Sequence, residues 1–543
     1  MTGTDDPQKS RDDARERLTL FDTTLRDGQQ TPGIDFSVDD KIAIAAMLDG
    51  LGVDYVEGGY PGANPTDTAF FAKRRTEHAT FTAFGMTARA GRSAANDPGV
   101  AALLNSAADA VCFVAKAWDY HVALALGATL GENLAGIDAS IQAAREAGKR
   151  ALLDCEHFFD GYRANPAHAL DVVRTAHGAG AEWVVLCDTN GGTLPDEIGR
   201  IVGEVREAVP DARLGIHAHD DTGHAVANSL AAVRAGCRHI QGTLNGIGER
   251  CGNADLVALI PTLMLKEPYR SRFSVSVTEA GLHDLTRLSH AFDELLNRAP
   301  EAQRPYVGTS AFATKAGIHA SALLKDPTTY EHVDPSLVGN ERRVMVSDQA
   351  GRSNVLDALR RFGMEVAKDH PRLDRLIDTL KEREAMGYAY EAAEASFELL
   401  ARATLGTVPR FYEVDGFRCL VERRRNANGE WVTVSEATIK LTVDGETIMS
   451  VAEGDGPVNA LDRALRKDFG ALAPRIADLE LVDYKVRILN GGTEAVTRVL
   501  IESQDGTGAR WWTVGVSENI IDASFRALQD SIRYKLLRTP PAA

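Results

Sequence analysis

Cysteine is scarce in this 543-residue chain: Cys112, Cys155, Cys187, Cys237, Cys251 and Cys419 lie scattered, and no two form a C-x-x-C pair. That excludes a disulfide framework and a cysteine-rich zinc site, and it suits a reducing cytoplasm. Long apolar runs are missing as well; with none approaching about 18 residues, a membrane span is not expected. Positive charge is in short supply, with Lys+Arg 60 against Asp+Glu 77 and a formal net charge of −17. Such a balance argues against nucleic acid or an anionic membrane as a partner, although a local basic pocket for an anionic ligand survives it. Residues 1–17 lack the apolar core of a secretory signal and hold five acids, against a transit peptide, so a solvated, disordered tail is expected.

What is present is ordinary for a globular protein: 44% apolar and 25% charged residues. From Leu18 to about Leu265, short β-rich runs alternate with longer Ala-rich amphipathic stretches. The runs are Leu18–Thr23, Val53–Gly58, Thr80–Phe84, Ala110–Ala115, Arg150–His157, Glu182–Asp188, Arg213–His219 and Arg238–Thr243. Helical stretches between them include Val38–Leu51, Asp138–Ala147 and Leu194–Val209. Nearly continuous apolar strands such as VVLC (184–187) belong to a parallel sheet covered on both faces. Eight strands, most followed by a helix, predict an α/β fold, a (β/α)8 TIM barrel. An open doubly wound sheet commonly carries a glycine fingerprint after its first strand; here TLRDGQQTPG (24–33) follows instead.

The barrel is expected to span 18–285, followed by a polar, helical linker region at 286–402. From 403 to 543 the texture is α+β, with alternating segments at Phe417–Arg423, Trp431–Val443, Lys485–Ile488, Ala495–Glu502 and Trp511–Val516. Helices are expected at Val458–Lys467 and Ile521–Lys535. NALDRAL (459–465) aligns without a gap to DASFRAL (522–528), which suggests a duplicated strand–strand–helix unit.

Reactive groups in such barrels cluster at the C-terminal strand ends. Read in order, those ends offer Arg26 and Asp27, Glu57, Glu156–His157, Asp188–Thr189 and His217-Ala-His219, with Glu249–Arg250 and Asn253 after strand eight. His217 and His219, two apart on a strand, face the same way. With Asp27 arriving from strand one they make a two-His, one-carboxylate site for a divalent metal, with Mn2+, Mg2+, Zn2+ and Co2+ all open. Arg26 offers a fork suited to a carboxylate or a developing oxyanion, or else a salt bridge at the rim. Asp220 and Asp221 either orient the ligands or cap the next helix.

FDTTLRDGQQTPG (21–33), HAHDDTGHAVANS (217–229) and NGIGERCGNADL (245–256) resemble the signatures of the metal-dependent Claisen-condensing acyltransferases. KAGIHASALLKDPTTYEHVDPSLVGN (315–340) is similar to that family's linker, and residues 403–537 look like its regulatory domain. VEGGYPGANPTD (56–67) and DCEHFFDGYRANP (154–166) look most like the branch that condenses acetyl-CoA with pyruvate and water to (R)-citramalate, an entry to isoleucine. Branches that take a larger 2-oxo acid, to 2-isopropylmalate or homocitrate, are the alternative. The resemblance implies metal ligands at Asp27, His217, His219 and Asn253. It implies that Arg26 binds the keto group and enolate, and that Thr189 holds the substrate carboxylate. Glu156, His319 and Tyr330 match further catalytic positions, with proton transfer open between Glu156 and His319. Gln29 stands where many relatives have an acid. It also implies a homodimer, with His319 and Tyr330 serving the other chain's site, and feedback by isoleucine.

Overall fold

The structure, a computed structural model, describes residues 15–314, 317–323, 325–344, 352–425, 427–489 and 495–539. Of the tail expected at 1–17, residues 1–14 lie outside this set, whereas Glu16–Arg17 pair in parallel with Phe273–Ser274. Arg17 is fixed by Asp54 at 2.7 Å, so order begins earlier than composition suggested.

The chain divides into two compact units, 1–312 with 333–342, and 313–332 with 343–543. The first is a closed parallel barrel of β1 (Thr19–Asp22), β2 (Tyr55–Glu57), β3 (Thr80–Met86), β4 (Ala110–Lys116), β5 (Arg150–Glu156), β6 (Trp183–Asp188), β7 (Leu214–Ala218) and β8 (His239–Gly242). Phe21, Tyr55, Cys112, Leu152, Trp183, Val185 and Cys187 fill its interior. The outward residues Phe81, Val111, Leu153, Val184 and Ile216 pack under the helices. Each such side chain, fully removed from water, contributes roughly 1.5–3 kcal/mol.

Helix α1 (Val38–Leu51) begins with a capping box between Ser37 and Asp40 and stops at Gly52, whose φ of 93° only glycine adopts without strain. The helix expected from Asp138 starts at Leu130, because Thr129 and Glu132 form a second capping box there. The stretch expected as a linker, 286–402, is shared between the units. Its first part stays with the barrel because Asn245 binds Ser289 O and Asp293 (both 3.0 Å) and Arg304 binds Asn245 O and Asp255 (2.8 and 3.2 Å).

The second unit holds α2 (Gly317–Leu323), α3 (Arg352–Arg361), α4 (Leu373–Ala385) and α5 (Glu394–Leu405). These precede a three-stranded antiparallel sheet, β9 (Glu413–Arg425), β10 (Trp431–Val443) and β11 (Glu446–Gly454), covered by α6 (Pro457–Lys467). A second sheet follows, β12 (Glu480–Ile488), β13 (Thr497–Gln504) and β14 (Arg510–Ser517), with α7 (Ile520–Arg538) on it. The duplicated unit therefore has three strands, not two. Ala460, Leu461, Ala464 and Leu465 of α6 are buried, as are the aligned Ala523, Ser524, Ala527 and Leu528 of α7. The missing strand was β11, joined to β10 by Asp444–Gly445 with φ of 50° and 84°, the left-handed pair a two-residue hairpin demands.

Candidate active site

The β1 strand ends in a tight turn, in which the N–H groups of Arg26, Asp27 and Gly28 all point to Thr23 O at 2.8–3.1 Å. Asp22 accepts from the N–H and hydroxyl of Thr24 (both 2.8 Å), and the Thr24 hydroxyl accepts from Leu244 N at 2.8 Å. The loop after β1 is thereby tied to the one after β8, and Arg26 and Asp27 are aimed at the mouth. After β8, Gly252 turns at a φ of 94° against the Gly246 carbonyl, and Gly248 faces the Asn253 amide, so neither position has room for a Cβ. This closes the loop over Asn253, which an isolated bridge holds beside His219.

Asp27, His217 and His219 meet in one buried cluster. Asp27 Oδ2 lies 3.2 Å from His217 Nε2 and 3.7 Å from His219 Nε2, and the two Nε2 atoms are 3.2 Å apart. Burial disfavours the charged form of Asp27, yet Arg26 and the imidazoles outweigh it and hold the carboxyl well below the usual range. Burial pulls His219 down to about 4, helped by His217, so its ring is neutral at physiological pH. For His217 burial acts the same way, but Asp27 reverses it and raises the imidazole. Asp27 Oδ1 and Asn253 Oδ1 are buried without a hydrogen-bond partner. A carboxylate and two imidazoles turned from water, with the buried amide oxygen of the bridged Asn253 left without a hydrogen bond, fit a divalent cation with open positions for substrate.

Two residues beneath the mouth set this geometry. Gln241 donates from Nε2 to Asp154 Oδ1 at 2.8 Å, which turns its Oε1 toward His217 Nδ1, also at 2.8 Å. With a cation bound, His217 would keep its one proton on Nδ1, toward Gln241 Oε1, and turn an Nε2 lone pair to the cluster. Gln241→Leu is expected to weaken Mn2+ binding about 10- to 100-fold, measured by titration calorimetry. An affinity equal to the parent's would place the orienting role elsewhere.

Arg26 crosses the same space. Its Nε binds Glu57 at 2.7 Å, its guanidinium lies 3.3 Å from Asp27 and 4.0 Å from Asp154, and it stacks on Phe84. Burial pushes Glu57 up to about 7 against the pull of Arg26, and burial likewise raises Asp154. Asp154 and Gln241 escaped the strand-end reading because each lies within its strand. Inward alternation would have found them: Leu152, Asp154 and Glu156 share one face, as do His239 and Gln241.

The other expected residues are placed as follows. Glu156 ends β5 and pairs with Lys116 of β4. Thr189 follows β6, and its hydroxyl oxygen accepts from His157 N at 2.8 Å. Arg250 grips Asp221 through two bonds, 2.7 and 2.9 Å, and Thr189 O at 2.7 Å. Asp220 accepts from Ala225 N at 2.8 Å, at the start of the next helix. His319 and Tyr330 belong to the second unit, where their rings stack with centroids 4.3 Å apart. Within the 315–340 motif, residues 315, 316 and 324 lie outside the described set.

Comparison with known proteins adds the relationship. A family described as HMGL-like matches residues 17–290, a homocitrate synthase post-HMGL domain-like family matches 306–386, and a LeuA allosteric (dimerisation) domain matches 391–536. An (R)-citramalate synthase of Streptomyces coelicolor is 52% identical over 96% of this chain and 96% of its own. One of Aquifex aeolicus is 49% identical over 96% and 98%. A 2-isopropylmalate synthase of Carboxydothermus hydrogenoformans is 30% identical over 96% and 98%. With a barrel, a histidine–carboxylate mouth and relatives matched along nearly their whole length, the chain belongs to the HMGL-like family, among the acyltransferases that include the (R)-citramalate and 2-isopropylmalate synthases.

Proposed function

We propose that the protein condenses acetyl-CoA with pyruvate and water to give (R)-citramalate and CoA. The observation that carries this is the near full-length identity of 52% and 49% to two (R)-citramalate synthases. A divalent ion held by Asp27, His217, His219 and Asn253 would supply Lewis acidity toward the carboxylate and ketone oxygens of pyruvate. Arg26 donates to the ketone oxygen, where negative charge builds as the new carbon–carbon bond forms. Thr189 accepts the His157 N–H, which leaves its own hydroxyl proton for the substrate carboxylate. Removal of a methyl proton from acetyl-CoA falls to Glu156 or His319. Tyr330, stacked on His319, fixes that ring. Water then cleaves the thioester and releases CoA.

The same reading makes the protein a cytoplasmic homodimer, with His319 and Tyr330 serving the partner's site and isoleucine as feedback effector through residues 403–543. The match of 391–536 to an allosteric dimerisation domain supports the dimer and the regulation. No helix among the described residues is long and apolar enough to cross a membrane. The loops GDGP (454–457) and GVSEN (515–519), candidate effector contacts, lead into α6 and α7, and Asn519 caps the first turn of α7 through Ile521 N at 2.8 Å.

The test is free-thiol release with acetyl-CoA and a panel of 2-oxo acids. Pyruvate should exceed 2-oxoisovalerate in kcat/KM by at least about 10-fold, the range that a misfitting alkyl group costs. A preference for 2-oxoisovalerate would assign 2-isopropylmalate synthesis, and one for 2-oxoglutarate homocitrate synthesis. Isoleucine in the same assay should inhibit, through a coupling of about 5- to 150-fold.

A further inference from the structure

In the motif VEGGYPGANPTD (56–67), Glu57 meets Arg26 at the mouth, and Gly58 and Asp67 hold a buried cation. Lys41 lies on α1 among Ile44, Ala45 and Leu48 and is wholly buried. Its ammonium has three protons and three acceptors: Leu25 O at 2.9 Å, Gly58 O at 2.9 Å, and the Asp67 carboxylate. Asp67 is itself held by Tyr60 N at 2.9 Å and by Asn64, which accepts from Asp67 N at 2.7 Å and donates to Oδ2 at 3.0 Å. The paired glycines make this approach possible. A Cβ on Gly59 would sit 2.6 Å from the Asp67 carboxylate, and one on Gly58 would sit 2.6 Å from the Phe70 ring.

An apolar side chain would fill the α1 face without the cost of burying a charge. The two carbonyls that Lys41 binds are what distinguish it. Leu25 O belongs to the peptide that leads into Arg26 and Asp27, and Gly58 follows Glu57, the carboxylate on which Arg26 Nε rests. We propose that Lys41 is a positioning residue for the active site, its buried ammonium pinning the turn that carries Arg26 and Asp27 to the backbone just past Glu57. It touches no reacting atom and acts through the spacing of these two loops. The inference rests on the function proposed above only for its kinetic readout.

The experiment compares the full chain with Lys41→Met and Asp67→Asn, using Mn2+ alone as a binding probe by electron paramagnetic resonance, and then acetyl-CoA turnover. Lys41→Met should bind Mn2+ at least 10-fold more weakly and lose at least 100-fold in kcat, while the KM for acetyl-CoA stays within about threefold. Asp67→Asn leaves the ammonium its two carbonyls and should show a smaller loss of the same kind. Either variant, if folded, with parental Mn2+ affinity and parental kcat overturns the proposal, even where its melting temperature falls. Should Lys41→Met not fold, Asp67→Asn decides alone. A parent that prefers another 2-oxo acid would sink the citramalate reading and leave the Mn2+ comparison standing.

Discussion

Asp27→Asn is expected to lower kcat by about 10⁴-fold, or about 5.4 kcal/mol at ~1.36 kcal/mol per decade, with the barrel still folded. The substitution keeps the size of a side chain that is 1% exposed and removes only its charge. That charge is what Arg26 and both imidazoles face, at 3.2–3.7 Å from the Nε2 atoms and 3.3 Å from the guanidinium. Without it the remaining ligands are neutral and Arg26 repels a cation across the mouth, so Mn2+ affinity should collapse together with turnover. Circular dichroism and the melting transition report the fold independently. Parental metal content in the folded variant would reject the assigned site.

Arg26→Lys should separate binding from chemistry. An ammonium cannot rest on Glu57, face Asp27 and stack on Phe84 together, as the planar guanidinium does. The expected loss is about 10³-fold in kcat, or about 4 kcal/mol. Mn2+ binding should change far less than in Asp27→Asn, because no ligand is removed. Equal losses of metal in both variants would mean that Arg26 serves mainly to hold Asp27, and not the developing charge on substrate.

Much of this architecture was legible in the residues. The eight apolar runs became the eight barrel strands, and Val38–Leu51 became α1, because hydrophobic period and capping residues act locally. The strand ends already offered Arg26, Asp27, His217, His219 and Asn253, and barrel geometry brings them side by side at the mouth. Gln241 and Asp154 were not, since a polar residue inside an apolar strand shows its partner only once the ring is closed. Residues 286–312 joined the barrel through Ser289, Asp293 and Arg304, contacts reaching 44–59 positions along the chain that no local pattern announces. β11 was announced, by Asp444–Gly445, and went unread because ETIMSVAEG carries too few apolar residues to stand out.

The reach of Arg26 has an evolutionary consequence. Strands β1 and β5 stand on opposite sides of an eight-membered ring, and the guanidinium spans between them, toward Asp154 on one side while its own backbone belongs to the other. It works as a crossbeam at the level of the Asp27–His217–His219 cluster, inside a bore that the eight hydrogen-bonded strands and their tilt already fix. Descendants that adopt a bulkier co-substrate then cannot gain room by letting the wall dilate. They must carve it from individual side chains and leave the beam in place, so new selectivity would arise by point substitution around an unchanged frame.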